Sequence, residues 1–542
     1  MKYILAAALF ISQSISAQQI SKDDEKIQQG LKKSINYLAD DKLEGRRTGT
    51  PGEKLAYEYI QSEFQNAGLA PFAGNKTYIQ PFEVNDGRQI GQATSLSLAG
   101  KAMELKKDFT PYPFSANVKN LSFKDKDERV MYYEIGSVIE ANKDNPHFDL
   151  KENIVETATK AAGGGKILFI VQNASSKEDF VFDAKDKTEP LSIPVIFMKP
   201  QAEAGAVAFA AAPTAAPLSS LTIQIESKQR TGHNVIGYID NGAKTTIILG
   251  AHYDHLGYGE DHNSLYAGSA PMIHNGADDN ASGTAALIEL GKWLKKAGYK
   301  NNNYLFVSFS GEELGLYGSK YFTDHAGIDL KTVDYMINMD MIGRLNDSTH
   351  GLTIGGYGTS PTWGKIINTK DSYFKINTDS SGSGPSDHTS FYKKDIPVLF
   401  FFTGSHKDYH KPSDDADKIN FPGELQVIHY IQNIIAQTDK MDKLAFTKTR
   451  EVSMGKSSFK VSLGIMPDYT YSEAGVRVDG VSDNKPAQKA GILTGDVLVQ
   501  LGDYKFTDVE SYMGALNKFN KGETTNVKLK RGKEEITLPV TF

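Results

Sequence analysis

Between Ala251 and Asp340 the chain repeats one arrangement, an apolar β-branched run that stops at acids and histidines. Thr245 to Leu249 (TTIIL) leads into AHYDHLG, so His252 and Asp254 emerge where a strand ends. GADDNASG follows from Gly276 to Gly283. The spacing then predicts a helix from about Thr284 to Ala297: Ala286, Leu287, Leu290, Trp293 and Leu294 form its apolar face, Glu289, Lys292 and Lys296 the opposite one, and Gly298 is the C-cap. A second strand, Tyr304 to Phe309, runs into Ser310-Gly311-Glu312-Glu313, and a third, Tyr335 to Met339, delivers Asp340. Strands alternating with helices imply an α/β fold, a doubly wound and mostly parallel sheet whose ligands bind outside the carboxyl ends of the strands. All of these polar residues then converge on one edge.

Imidazole mixed with carboxylate suits zinc better than calcium or magnesium. With one carboxylate bridging, such a set holds two ions about 3.5 to 4 Å apart. Asp278 and Asp279 are adjacent, and by residue type either can be that bridge.

AHYDHLG, GADDNASG, SGEELGLYGS, NMDMIG and YHKPSD, in that order between about Asn234 and Lys443, resemble the co-catalytic zinc aminopeptidases of the M28 peptidase family. The resemblance implies one zinc on His252 and Asp340, a second on Glu313 and His410, and Asp279 bridging them. It assigns Glu312 as general base, Asp254 as the carboxylate that fixes the His252 tautomer, and Tyr409 as hydroxyl donor to the oxyanion. Asp387 and His388 in GPSDHTSFY are expected near the pocket but not as ligands. The implied function is a di-zinc peptidase, with aminopeptidase as the expected activity. The alternatives are a glutaminyl cyclase-like transferase, with the same fold and similar ligands but a single zinc, and an inactive peptide-binding scaffold, which predicts lost ligands or base; this chain keeps Glu312 and the complete two-zinc set.

The rest of the chain frames that core. MKYILAAALFISQSISAQQ reads as a signal peptide over residues 1–17, too short to stay as a membrane span, and implies a periplasmic or secreted protein. No cysteine occurs, so disulfides and a lipid-attachment cysteine are excluded. A net charge of -6 over 542 residues argues against nucleic acid as a partner. Residues 18–112 are assigned to the N-terminal part of the peptidase domain. There a polar helix spans Glu25 to Ala39, and a second begins at Thr50 and Pro51 and stops at Gly68. LEGRRTGTPG, which precedes it, resembles the start of the same peptidase domain and names no catalytic residue.

Residues 113–230, with GGGKILFI and IPVIF strands, resemble a β-rich protease-associated (PA) insertion, and Ala202 to Ala216 reads as helix plus loop. Residues 231–443 complete the di-zinc domain, with a strand at Ile396 to Phe402 and a closing helix at about Glu424 to Met441; residues 444–456 read as a linker. Residues 457–542 resemble a PDZ domain. Its Ser462-Leu463-Gly464-Ile465 fits the loop that caps a peptide's C-terminal carboxylate with backbone amides, so the expected partners are a peptide or protein substrate and a peptide C-terminus.

Overall fold

The computed structural model describes residues 21–72, 77–124, 127–143, 148–172, 180–184, 186, 188–199, 218–261, 263–266, 268, 270–449, 461–467, 474–481, 485–507 and 509–542. The signal peptide, the alanine-rich stretch and most of the linker lie outside the described residues. No helix among the described residues is long and apolar enough to cross a membrane.

The largest sheet is assembled from β1 (Ala70–Pro71), β2 (Ile79–Ile90), β3 (Ile225–Ile239), β4 (Thr245–His252), β5 (Asn302–Phe309), β6 (Val333–Met339), β7 (Gly351–Gly355), β8 (Lys375–Thr378) and β9 (Val398–Phe402). Their order is β1-β3-β5-β4-β6-β9-β7-β8, with β2 paired to β3. The centre, β5-β4-β6-β9, is parallel, and Leu249 of β4 stands between Phe306 and Ile337. From β4 the chain crosses to β5 on one side and returns to β6 on the other. The end of β4, which carries His252, is therefore a topological switch point, where such sheets open a crevice.

The helices cover the sheet as their apolar periodicity requires. The first, Lys22–Leu38, is capped by Ser21, which accepts from the Asp24 N–H at 3.1 Å, and has acids in its first turn. The second, Pro51–Asn66, starts at the expected Thr50 cap and buries Ala56, Ile60 and Phe64. The helix Gly283–Ala297 ends at Gly298 with φ 76, the left-handed C-cap expected of glycine. One of its residues departs from the expected polar face. Glu289 is buried, because Gly30 of the first helix lets the carboxylate approach to where a Cβ would lie 2.0 Å from Oε1, and Lys292 neutralises it at 2.8 Å.

Arg46, from LEGRRTGTPG, has no solvent exposure. It donates to the carbonyls of Leu38 (2.6 Å), Tyr253 (2.7 Å), Asn275 and Gly276 (3.0 Å), tying the end of the first helix to the AHYDHLG and GADDN loops. Burial pulls its pKa down to about 10, against the pull of Asp279 and Asp254. Its neighbour Arg47 joins Arg230 on Asp261, at 2.7 and 3.0 Å, and Arg230 also reaches Asp86 at 3.2 Å. Asp86 and Arg230 sit on β2 and β3, the long antiparallel ribbon that leads out to the insertion.

The insertion begins earlier than residue 113. Ser95–Leu98 pairs with Ser219–Ile223, and Phe109–Pro111 pairs with Val195–Met198, so strands from 95 onward already belong to its two four-stranded sheets. The predicted GGGKILFI and IPVIF strands are Leu168–Gln172 and Val195–Met198, paired in parallel, and helices Ile135–Ala141 and Leu150–Gly163 accompany them. The C-terminal unit is a separate sheet around its own core, which includes Leu463, Val478, Leu498, Val527 and Leu529. Its first strand, β10 (Ile465–Pro467), stands at the end of the strand order.

The closing helix, Phe421–Thr438, buries Glu424 completely, and neither carboxyl oxygen has a hydrogen-bond partner. Burial, reinforced by Asp278 and Glu289, holds its pKa well above the usual carboxylate range. The folded state thus keeps a proton that the unfolded chain releases near its ordinary value, so stability is lost as pH rises from there towards the raised value, by up to about 1.4 kcal/mol per pH unit. Glu424→Gln removes that loss. Melting temperatures measured from pH 5 to 9 are expected to fall less steeply for the variant, which becomes the more stable protein at the alkaline end.

Candidate metal centre

The carboxyl ends of β4, β5, β6 and β9 and the segments after them bring His252, Asp279, Glu312, Glu313, Asp340, Tyr409 and His410 into one cavity of about 320 Å³. His252 Nε2 stands 3.3 Å from Asp279 Oδ1 and 3.4 Å from Asp340 Oδ1. On the other side His410 Nε2 stands 3.3 Å from Asp279 Oδ2 and 3.1 Å from Glu313 Oε2. Asp279 therefore turns one oxygen to each cluster. Asp278 faces away, accepting from the Gly343 N–H at 2.7 Å and meeting His406 Nε2 at 3.2 Å, which leaves Asp279 as the residue between the two groups.

Both imidazoles present Nε2 because Nδ1 is occupied. His410 Nδ1 lies 2.8 Å from the Asn263 carbonyl, and His252 Nδ1 lies 3.2 Å from the carbonyl of Asp254. The contact expected of the Asp254 carboxylate is thus made by its backbone, the carboxylate standing 3.8 Å from Nδ1. That carboxylate instead accepts from Thr48 Oγ1 (3.0 Å) and from the Glu312 N–H (3.2 Å), and burial pushes it up to about 7. Asp254 thereby anchors the backbone of the predicted base.

Glu312 Oε2 reaches to 4.0 Å from His252 Nε2. Burial, with Asp387, Glu313 and Asp340 nearby, holds its carboxyl well above the usual range despite the opposing pull of His252. Burial also opposes charge on His252 and His410, yet the surrounding carboxylates hold both imidazoles well above their usual range. Carboxylates crowded this way out of water demand positive charge. Donors of mixed nitrogen and oxygen in two groups sharing one carboxylate fit a pair of divalent cations. Tyr409 lines the same cavity, its ring stacked on His410 at 3.9 Å, and burial keeps its hydroxyl protonated.

Several residues that support the site carry no role in the sequence reading. Asp414, the last residue of YHKPSD, accepts from the N–H groups of both Asp278 and Asp279 at 3.0 and 3.1 Å. Ser386, beside Asp387, donates to Asp340 Oδ2 at 2.7 Å. Asp387 itself is buried with neither oxygen hydrogen-bonded, pushed up to about 7, while burial pushes His388 down to about 3 against the Phe400 ring. Glu53, on the second helix, accepts from Ser310 Oγ at 2.6 Å and so steadies the turn before Glu312. The quoted motifs already contained Asp414 and Ser386. Glu53 had no local signal, since its partner is far away in the chain.

The arrangement is that of two donor groups, sharing Asp279, that are suited to hold two metal ions. Residues 234–435 match the profile of peptidase family M28 and residues 456–542 that of the PDZ domain. The chain carries an M28 peptidase domain followed by a PDZ domain. It is 31% identical over 200 residues to leupeptin-inactivating enzyme 1 of Streptomyces exfoliatus, covering 35% of this chain but only 40% of that protein. To an aminopeptidase of Pseudomonas aeruginosa it is 24% identical over 389 residues, 66% of this chain and 67% of that one. A zinc aminopeptidase structure from Bacillus subtilis aligns with a TM-score of 0.44 at 20% identity, over 77% of this chain and 98% of that one.

Asp414→Ala removes the acceptor that holds the Asp279 backbone. Zinc affinity, measured by competition with a chromophoric chelator, is expected to fall about 10- to 100-fold, while the far-ultraviolet circular dichroism stays unchanged.

Proposed function

We propose that this protein is an exported di-zinc aminopeptidase, with His252 and Asp340 at one ion, Glu313 and His410 at the other, and Asp279 shared. The observation that carries this reading is Asp279 with one carboxylate oxygen turned to each imidazole. Zinc held by these residues would supply Lewis acidity, lowering the pKa of a water towards neutrality and polarising a carbonyl.

The chain's own groups supply the proton path. The Glu312 carboxylate takes a proton from the attacking water and returns it to the leaving amine. Asp254 holds its backbone, and Thr48 holds Asp254. The Tyr409 hydroxyl, protonated, donates to the developing oxyanion. Leu265, Phe400 and Phe402 give the cavity an apolar wall for a substrate side chain. Residues 1–17 would direct export.

The PDZ domain extends the same reading. Strand β10 follows the Leu463-Gly464 loop, and its Ile465 and Pro467 line the metal-bearing cavity. A peptide that adds along β10 with its carboxylate on the amides of Leu463, Gly464 and Ile465 is thereby brought beside the cavity.

Two measurements test these assignments. On matched peptides with free and acetylated N-termini, cleavage is expected only of the free ones, abolished by chelator and restored by zinc. Glu312→Gln is expected to lower kcat by about 10²- to 10⁴-fold with zinc content unchanged; cleavage of the acetylated set would replace the aminopeptidase with an endopeptidase. Second, amidating the C-terminus of a good substrate is expected to raise KM roughly tenfold, about 1.4 kcal/mol, with kcat unchanged. Equal KM values would remove the PDZ loop from substrate capture.

A further inference from the structure

His255, in the turn after His252 and Asp254, has a side chain with no solvent exposure, and it faces the second cluster. Its Nδ1 lies 2.8 Å from Glu313 Oε1 and 3.9 Å from Asp279 Oδ2. One ligand atom from each of His255, Asp279 and Glu313 lies within 4.8 Å of the others. Its ring meets that of His410 edge-on, at 5.9 Å and 76°.

At 2.8 Å an aligned N–H would donate to the carboxylate. Yet neither His255 nitrogen nor Glu313 Oε1 has a hydrogen-bond partner among protein atoms. The distance is short and the alignment is absent, and a hydrogen bond needs both. A buried polar atom left in that state costs about 1–3 kcal/mol. Two donors at 2.0–2.2 Å from a shared ion stand roughly 3 Å apart with their lone pairs converging on the ion and not on each other. The other histidines of the centre differ, since Nδ1 of both His252 and His410 is occupied by a carbonyl.

The ring is also held in place. Gly276, at φ 55, packs so closely that a Cβ there would lie 2.5 Å from His255 Cδ2. The His255 N–H donates to the carbonyl of Arg46 at 3.4 Å, the same Arg46 that gathers the GADDN loop. Orientation, which a ligating imidazole ordinarily takes from a hydrogen bond at its other nitrogen, comes here from backbone packing.

We propose that His255 is a further protein ligand of the second ion, through Nδ1, beside Asp279, Glu313 and His410. This rests on the two-ion reading. The two sites are then unequal: the first has His252, Asp279 and Asp340 and keeps an open position, whereas the second is saturated by protein as structural zinc sites are. The second ion is the tightly held one, and the first is the one that exchanges.

The test is uptake of metal by the full chain after chelator treatment, for wild type, His255→Ala and His255→Asn. Zinc per chain is measured at buffered free zinc, and the visible spectrum is recorded with cobalt in place of zinc. Wild type is expected to take up two ions of unequal affinity. Both variants should lose the tighter one by more than about 100-fold, beyond the effect of an outer partner, and keep the weaker one, which also reports an intact fold. The cobalt band of the tighter site should change, and added imidazole should restore it in His255→Ala. Variants that take up two ions with wild-type affinities overturn the assignment alone, as does weakened binding with an unchanged cobalt band, which would make His255 a positioning residue. Wild type that takes up fewer than two ions overturns the two-ion reading and this assignment with it.

Discussion

Negative charge crowded out of water around Asp279 is the constraint that the rest of the domain has to satisfy. Asp254, Glu312, Glu313 and Asp340 follow the ends of three neighbouring strands, and Asp387 joins them from the segment between β8 and β9, where like charges repel and burial disfavours ionisation. Asp387, with neither oxygen hydrogen-bonded, is pushed up to about 7, while others of the cluster have partners of their own. Asp254 takes a hydroxyl and a backbone N–H, Asp340 takes Ser386, and Asp279 is flanked by two imidazoles. The parallel sheet supplies the scaffold, because its central strands all end on the same edge.

Much of this was legible from local pattern. β-Branched runs that stop at acids mark where β4, β5 and β6 end, and Thr50, Pro51 and Gly298 set helix limits through backbone chemistry that depends only on neighbouring residues. Where the reading missed, the partner lies far along the chain. Arg46 is a surface residue by type and becomes fully enclosed because four carbonyls from three segments meet there. Glu289 sits on a polar helical face that a glycine of another helix happens to cover. The tautomer of His252 is set by a carbonyl, which every residue possesses and no motif can signal. The insertion boundary slipped for a similar reason. Ser95–Leu98 reads as an ordinary strand until its pairing with Ser219–Ile223 shows which sheet owns it.

The accessory units join the core in different ways. The insertion hangs on the β2–β3 ribbon, whose base is braced by Asp86, Arg230, Asp261 and Arg47. Arg47 is the residue after Arg46, so the segment that gathers the catalytic loops also grips the ribbon. The C-terminal unit has its own core and reaches the cavity through Ile465 and Pro467.

The pairing of His410 with Asp414 has a consequence for synthesis. Four residues apart, one supplies an imidazole to the centre and the other holds the backbone of Asp278 and Asp279, made more than a hundred residues earlier. A ribosome-bound chain carries His252, Asp279, Glu312, Glu313 and Asp340 long before the segment that orders them emerges. The donor set is thereby incomplete on a nascent chain until the segment that carries His410 and Asp414 has been made.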